Sequence, residues 1–403
     1  MTDSPYPLRQ GTWEDVAAIV LQDGASFGFY FSDENMTDVL GYLDPERFVV
    51  ATDEDRMVGV SGEYTLDFAT PGGRTVDLAA ITWVSVAPTH RRRGILRSMI
   101  EHQLRGYAAQ GVPAAALTAS EGGIYGRFGF GTATQIRRIE IPRARARLRE
   151  PGDATSVRLS TADEARKAMP EIHERWRRQL PAGVARIDAR WDRLVADRPD
   201  ARHGRSPLFY LLHADGYVAY RAETSFHDGH FAHTAHIEDY AAATEAAHAA
   251  LWQTLLDLDL YSTIATNQIP ADDPIEHRLI DSRQVQTRGI FDGVWVRPID
   301  VPALVDSRTY AGEFDVVWEL HDSLFGDGRY RIAGGPGGVT CVRTDTTPDL
   351  VSDISVLGAA FFGGTRLQAL AAGGRLHAED AALLQRADRA WQADRQPFHG
   401  TYF

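Results

Sequence analysis

Residues 85–104, SVAPTHRRRGILRSMIEHQL, change character halfway. Ser85 and Val86 close a strand-forming run that begins at Thr75, and Pro88 breaks the ladder. Apolar residues then recur at Ile95, Leu96, Met99, Ile100, Leu104 and Tyr107, which is one face of a helix. Between strand and helix stand Arg91, Arg92, Arg93 and Gly94. A helix beginning here leaves its first N–H groups without intrahelical partners at the positive end of the macrodipole. Gly94 has no Cβ, so a bound anion can approach the backbone closely. Amides, dipole and arginines together predict a diphosphate site, while an exposed basic turn is the plainer reading of the same residues.

The surroundings decide between parallel and antiparallel architecture. Thr12-Trp13-Glu14-Asp15 resembles a capping box, and Val16, Ile19 and Val20 after it predict a first helix. Strands are predicted over 48–52, 57–69 and 75–86, divided by the turns Asp53-Glu54-Asp55 and Pro71-Gly72-Gly73. That is an antiparallel meander, so no parallel dinucleotide-binding unit surrounds the arginine turn. Gly111 ends the helix, and 112–118 reads as a short buried strand. Arg137, Arg138, Arg143, Arg145, Arg147 and Arg149 read as a solvated strand and linker closed by Pro151-Gly152.

A second segment repeats the plan: Thr161 with Glu164 caps a helix, strands follow at 208–212 and 216–222, and 241–258 reads as a helix. The residues before that last helix, HIEDYAAATEAAHAAL, hold neither an arginine run nor a glycine. A third segment carries strands at 314–320 and 329–332, a glycine cluster at 334–338 read as a hairpin turn, a helix over 378–393, and the tail QPFHGTYF. The expected domains are 1–150, 151–290 and 291–403.

A chain of 403 residues suits two or three domains. Its net charge of −13 argues against nucleic acid as a general partner; it favours a cationic ligand, while the plainer reading is that the acidity serves solubility. No stretch is apolar enough to span a membrane and the polar start MTDSPYPLRQ lacks a signal-peptide core, so a cytoplasmic protein without a membrane partner is expected. Cys341 is the single cysteine and reads as a small buried hydrophobe. His227, His230, His233 and His236 recur every three residues; in a strand that spacing sends successive rings to opposite faces, so no metal site is expected.

VSVAPTHRRRGILRSM resembles the coenzyme A pyrophosphate segment of the GNAT superfamily of N-acetyltransferases, and its APTHRRRGIL core is similar to the enhanced intracellular survival (Eis) branch. SEGGIYGRFGFG at 120–131, ERWRRQLPAGVARIDARW and the terminal PFHGTYF resemble that branch as well. The resemblance implies an α+β chain of tandem GNAT folds, the first catalytic and the second degenerate, followed by a sterol-carrier-protein-like domain. It implies acetyl-CoA as co-substrate, without a metal, and a homo-oligomer, a hexamer. Val84, Ser85 and Val86 would offer main-chain groups to the pantetheine arm. Arg91, Arg92, Arg93, Gly94, Ile95, Leu96 and Arg97 would bind the pyrophosphate, and Ser120 and Glu121 would line the cofactor. Tyr125 would be the general acid and the α-carboxylate of Phe403 the base.

The chemistry asks for such groups independently of the family. An amine attacks a thioester only when neutral, so its proton needs an acceptor, and the departing thiolate needs a donor. Trp13, Phe27, Phe29, Thr82 and Trp83 are candidates to wall the acceptor, or to pack as core. Related enzymes carry an acid soon after the Ser-Phe of this loop, whereas SFGFYFSD reaches its first acid at Asp33, which favours hydrophobic or monoamine acceptors. The resemblance suggests small-molecule amines such as aminoglycosides. A protein-lysine acetyltransferase and a lipid or ligand carrier are the alternatives.

Overall fold

A computed structural model describes residues 5–227 and 229–403. Near the start, the Asp15 carboxylate accepts from the Thr12 backbone N–H at 2.9 Å, and a 3₁₀ turn Trp13–Asp15 leads into the helix Val16–Phe27. The meander follows as strands Val49–Asp53, Arg56–Ala69 and Thr75–Val86, all antiparallel. Ala114–Thr118 then pairs in parallel with Thr75–Val86, at Ala79 opposite Ala115 and Ala80 opposite Ala116. Helix Ile95–Ala109 buries Ile95, Met99, Ile100, Leu104 and Tyr107 against this sheet.

The first sheet has seven strands, and one comes from far along the chain. Val294–Pro298 lies between Ala114–Thr118 and Gly131–Thr132. In exchange, Gln135–Pro142 pairs in the second seven-stranded sheet, between Gln286–Asp292 and Tyr261–Ile269. Both strands thus pair outside the segment in which the sequence places them. Arg137, read as solvated, is buried in that second sheet and makes a two-point pair with Glu276 at 2.9 Å. Arg143 donates to the carbonyl of Tyr261.

In the second unit the Thr161 capping box is present, and the helix Ala162–Arg177 follows it. The strand His233–Ala242 runs past the expected helix start at 241, and the helix is Glu245–Leu256, begun where the Thr244 side chain accepts from Ala247 N at 3.2 Å. Five strands form the third sheet, with the glycine cluster at its hairpin, where Gly335 faces Gly338. Leu376–Ala378 is an edge strand there, and it takes in Ala378, the expected start of the last helix. The helix Ala381–Trp391 begins after the Asp380 cap, because that side chain claims the first free amide. The architecture is α+β throughout.

Cys341 is half-buried against the third core, and burial pushes its thiol up to about 12. His233 accepts from Ser225 N and His236 pairs with Glu223 at 2.7 Å; the His227 side chain lies outside the described residues. Among the described residues, no helix is long and apolar enough to cross a membrane, and no group of three or more His, Cys, Asp or Glu is placed to hold a metal ion.

Candidate active site

The pairing of Arg56–Ala69 with Thr75–Val86 slips in the middle: Gly62 faces Thr82, but Val60 faces Ser85. The extra residues, Trp83 and Val84, form a bulge, and Trp83 sits at φ 53°, a conformation costing on the order of 1–3 kcal/mol. Its surroundings hold it there: the indole N–H donates to Tyr64 Oη at 3.0 Å and the ring stacks on Phe31 at 5.8 Å. Beyond Ala80 and Ala116 the two parallel strands no longer pair, and a cleft of about 360 Å³ opens. Phe27, Phe29, Thr82, Trp83 and Val84 line one part of it; Ser120 and Tyr125 line another, with Tyr402 and Phe403.

Ser85 itself is buried, and its carbonyl accepts from Gln22 Nε2 at 3.2 Å. Val86 packs against the core formed by Ile95 and Met99. At the turn below, Arg92 (φ 64°) and Gly94 (φ 85°) both adopt left-handed backbone, and a Cβ on Gly94 would meet open space. Helix Ile95–Ala109 has no side-chain cap, so no capping side chain claims its first amides. The Ile95 side chain is buried and Leu96 packs on the neighbouring core, which leaves the backbone as what these two residues present. Arg91, Arg92, Arg93 and Arg97 are exposed, with Arg93 donating to Tyr6 Oη at 2.8 Å. Glu121 is exposed beyond Ser120. The Thr244 cap makes the contrast: the helix start in the second unit satisfies its own amide.

Tyr125 opens the 3₁₀ turn Tyr125–Phe128 and is buried edge-on to Phe130 at 5.9 Å. Burial, with the Glu121 charge adding, pushes its phenol up to about 12, so it stays protonated at neutral pH. The turn is held from far along the chain: Arg297, wholly buried, donates to the Phe128 carbonyl at 2.5 Å and makes a two-point pair with Asp322 at 2.8 Å.

The C-terminal tail crosses the second unit to reach the first. Phe398 N donates to the Pro181 carbonyl, and Val184 N to that of His399. Arg186 donates to the Gly400 carbonyl at 2.7 Å and to Thr401 Oγ1 at 2.5 Å while paired with buried Asp239. The Phe403 ring then meets Phe68 edge-on at 5.9 Å.

The cleft therefore brings together Phe27, Phe29, Thr82, Trp83, Val84, Ser120, Tyr125 and Phe403. Trp13 is not among its lining residues and stands 57% exposed in the first turn. The sequence reading missed Asp23, which lines the cleft at 6% exposure with its Oδ1 unpartnered. A signal was present: Asp23 follows Ile19 by four and Val20 by three, on the apolar stripe of its helix.

Sequence profiles of the acetyltransferase (GNAT) domain match residues 7–133 and 182–298, and one of the sterol carrier protein domain matches 301–400. N-acetyltransferase Eis of Mycobacterium bovis is 38% identical over 96% of this chain and 97% of its own. Its Mycobacterium tuberculosis counterpart is 37% identical over the same shares. The crystal structure of Eis1 from Mycobacterium abscessus superposes with a TM-score of 0.88 at 31% identity, covering 98% of this chain and 100% of that one. With two GNAT units, a sterol-carrier-like domain and a tail returning to the first cleft, the chain belongs to the Eis family of GNAT N-acetyltransferases.

Proposed function

We propose that the first cleft transfers an acetyl group from acetyl-CoA to an amino nitrogen of a small molecule, with Tyr125 as general acid and the Phe403 α-carboxylate as base. The observation that carries this reading is the convergence of the bulged strand, Tyr125 and Phe403 on one cleft of about 360 Å³. The uncapped helix start and the open space at Gly94 fit a diphosphate, held by the amides from Arg92 to Arg97 with the exposed arginines adding charge. Val84 to Val86 and Ser120 fit the pantetheine arm, which supplies the thioester. Main-chain N–H groups at the Trp83 bulge suit the oxyanion that forms when the amine nitrogen bonds to the carbonyl carbon.

As the carbon–sulfur bond breaks, Tyr125 gives its proton to the leaving sulfur. The nitrogen's proton passes to the Phe403 carboxylate, directly or through a water. A terminal carboxylate has an ordinary pKa of about 3.3–3.7, so it serves best by orienting a water and holding the acceptor. Likeness to the Eis proteins makes aminoglycosides the first acceptors to try.

The test is release of free CoA thiol by wild type, Tyr125→Phe and a chain lacking Phe403. Each change should lower kcat by about 10²–10⁴-fold, with the CoA dissociation constant within about twofold. Full turnover by Tyr125→Phe removes the acid role, and full turnover without Phe403 makes the tail purely structural.

A further inference from the structure

The second unit has a splay of its own. His233–Ala242 pairs in parallel with Tyr261–Ile269 as far as Ile237 opposite Thr266, and beyond that the strands part, as two strands of the first unit do at its cleft. Between them only about 10 Å³ is left, because Phe398 and Gly400 of the tail come in beside Trp176. That is too little for an acyl-bearing arm. Alongside, at the start of helix Glu245–Leu256, lies a cleft of about 400 Å³. Its lining carries three carboxylates, Glu245, Asp272 and Asp273, against one guanidinium, Arg395. The corresponding strand-to-helix turn of the first unit holds Arg91, Arg92 and Arg93. With the local charge reversed, a diphosphate is repelled and a cation attracted.

Three side chains lining this cleft also have buried polar atoms without a hydrogen-bond partner: His248 Nδ1, Tyr240 Oη and Asp272 Oδ1. His248 is only 5% exposed. Its Nε2 faces the Asp273 carboxylate at 3.1 Å, which can only accept, so that nitrogen carries the hydrogen and Nδ1 of the neutral ring is an acceptor. Asp272 accepts from Gln396 N at 2.9 Å and meets Arg395 at 3.4 Å, both through Oδ2, so Oδ1 keeps its capacity. The Tyr240 ring stands edge-on to the His248 ring at 6.1 Å. Unsatisfied acceptors in the wall of an acidic cleft call for a ligand that brings donors and positive charge.

We propose that this second cleft binds a small ring-bearing primary ammonium compound without acetylating it. The ammonium donates to His248 Nδ1 and to the Asp272 carboxylate, and the Trp176 and Tyr240 rings flank the ligand. No thioester reaches the bound nitrogen through the filled splay, so the ligand is held and not changed. The site holds whether or not the first cleft transfers acetyl.

The test labels the full chain with 5-fluorotryptophan and follows the Trp176 and Trp83 fluorine resonances, assigned with Trp176→Phe and Trp83→Phe, during titration with benzylamine and with benzyl alcohol. Trp83 lines the first cleft and Trp176 the second, so the two occupancies are read separately. In wild type the Trp176 response should give a dissociation constant at least about tenfold lower for benzylamine than for benzyl alcohol. In His248→Phe and in Asp272→Asn that ratio should fall to within about threefold while the Trp83 response stays as in wild type, with Tm and the CoA dissociation constant showing that each variant folds. A Trp176 resonance that benzylamine does not move, an equal response to the alcohol, or a preference kept in either folded variant overturns the proposal. So does a fall at Trp176 matched by the same fall at Trp83, since the substitutions would then be acting on the first cleft.

Discussion

A carboxylate held above its ordinary pKa stores a pH dependence, and Asp23 is such a group. Burial raises it from 3.8 to about 6, so between those values the folded protein binds more protons than the unfolded chain. Its contribution to stability is then lost as pH rises through about 6. Asp23→Asn removes that penalty. The variant should melt higher than wild type at pH 7.5, by a difference on the order of 1–3 kcal/mol, and the gap should shrink steadily as the pH is lowered from 6 toward 4. Scanning calorimetry at several pH values checks it; a gap independent of pH would contradict the account. The two cleft residues differed in how they could be read. Tyr125 sits in the run GGIYGRFGFG, where glycines flag a backbone bent around something, whereas Asp23 is an acid within an apolar stripe. Such a residue looks like a surface position until the bulge at Trp83 shows what its helix faces.

At the scale of elements, the decisive contrast is between two helix starts. Ile95–Ala109 begins at a glycine in left-handed backbone with no cap, and Glu245–Leu256 begins at a threonine that caps itself. Gly94→Ala has room for its methyl group but must hold φ near 85°, at a cost of about 1–2 kcal/mol. It should lower Tm slightly and raise the KM for acetyl-CoA several-fold with kcat little changed, as measured by steady-state kinetics. An unchanged KM would argue that the phosphates dock elsewhere. The arginine run, the strand before it and the helical spacing after it were all legible, because those signals are local. Sheet membership was not. Gln135–Pro142 and Val294–Pro298 have ordinary strand patterns, yet each pairs in the other unit's sheet, and the alternation of a strand names its faces without naming its neighbour. The burial of Arg297 inside VWVRP marks the exchange: a wholly buried guanidinium in a strand has to find its carboxylate elsewhere, here Asp322 in the third segment.

For the whole molecule, the third domain places the chain's end. Trp318, Trp391, Tyr310 and Phe314 fill its core, and from Trp391 the tail leaves to cross the second unit. Arg186 is the clamp, since one guanidinium serves Asp239, Gly400 and Thr401 together. Arg186→Lys keeps a positive charge near Asp239 but cannot reproduce the fork. It should lower kcat at least about tenfold with a modest change in Tm, as measured by turnover and calorimetry; unchanged turnover would mean the tail holds its place without the clamp.

His399 adds a pH limit to the same docking. Burial lowers its imidazole from 6.5 to about 4, so docking is fully supported above 6.5 and loses that support as pH falls toward 4. Activity should fade on that acidic limb, and less so in His399→Gln. The resemblance of PFHGTYF to a known ending pointed to the tail's role, but its path could not be read, because a terminal segment's contacts are set by partners more than 150 residues away, such as Arg186.

The claim on which the mechanism turns is that the last carboxylate acts where the chain now ends. Appending one alanine after Phe403 keeps the aromatic ring and moves the carboxylate by one residue, about 3.5 Å. The decisive measurement is kcat of that extended enzyme: a fall of about 100-fold, with Tm and the CoA dissociation constant unchanged, is predicted, and wild-type turnover would contradict it.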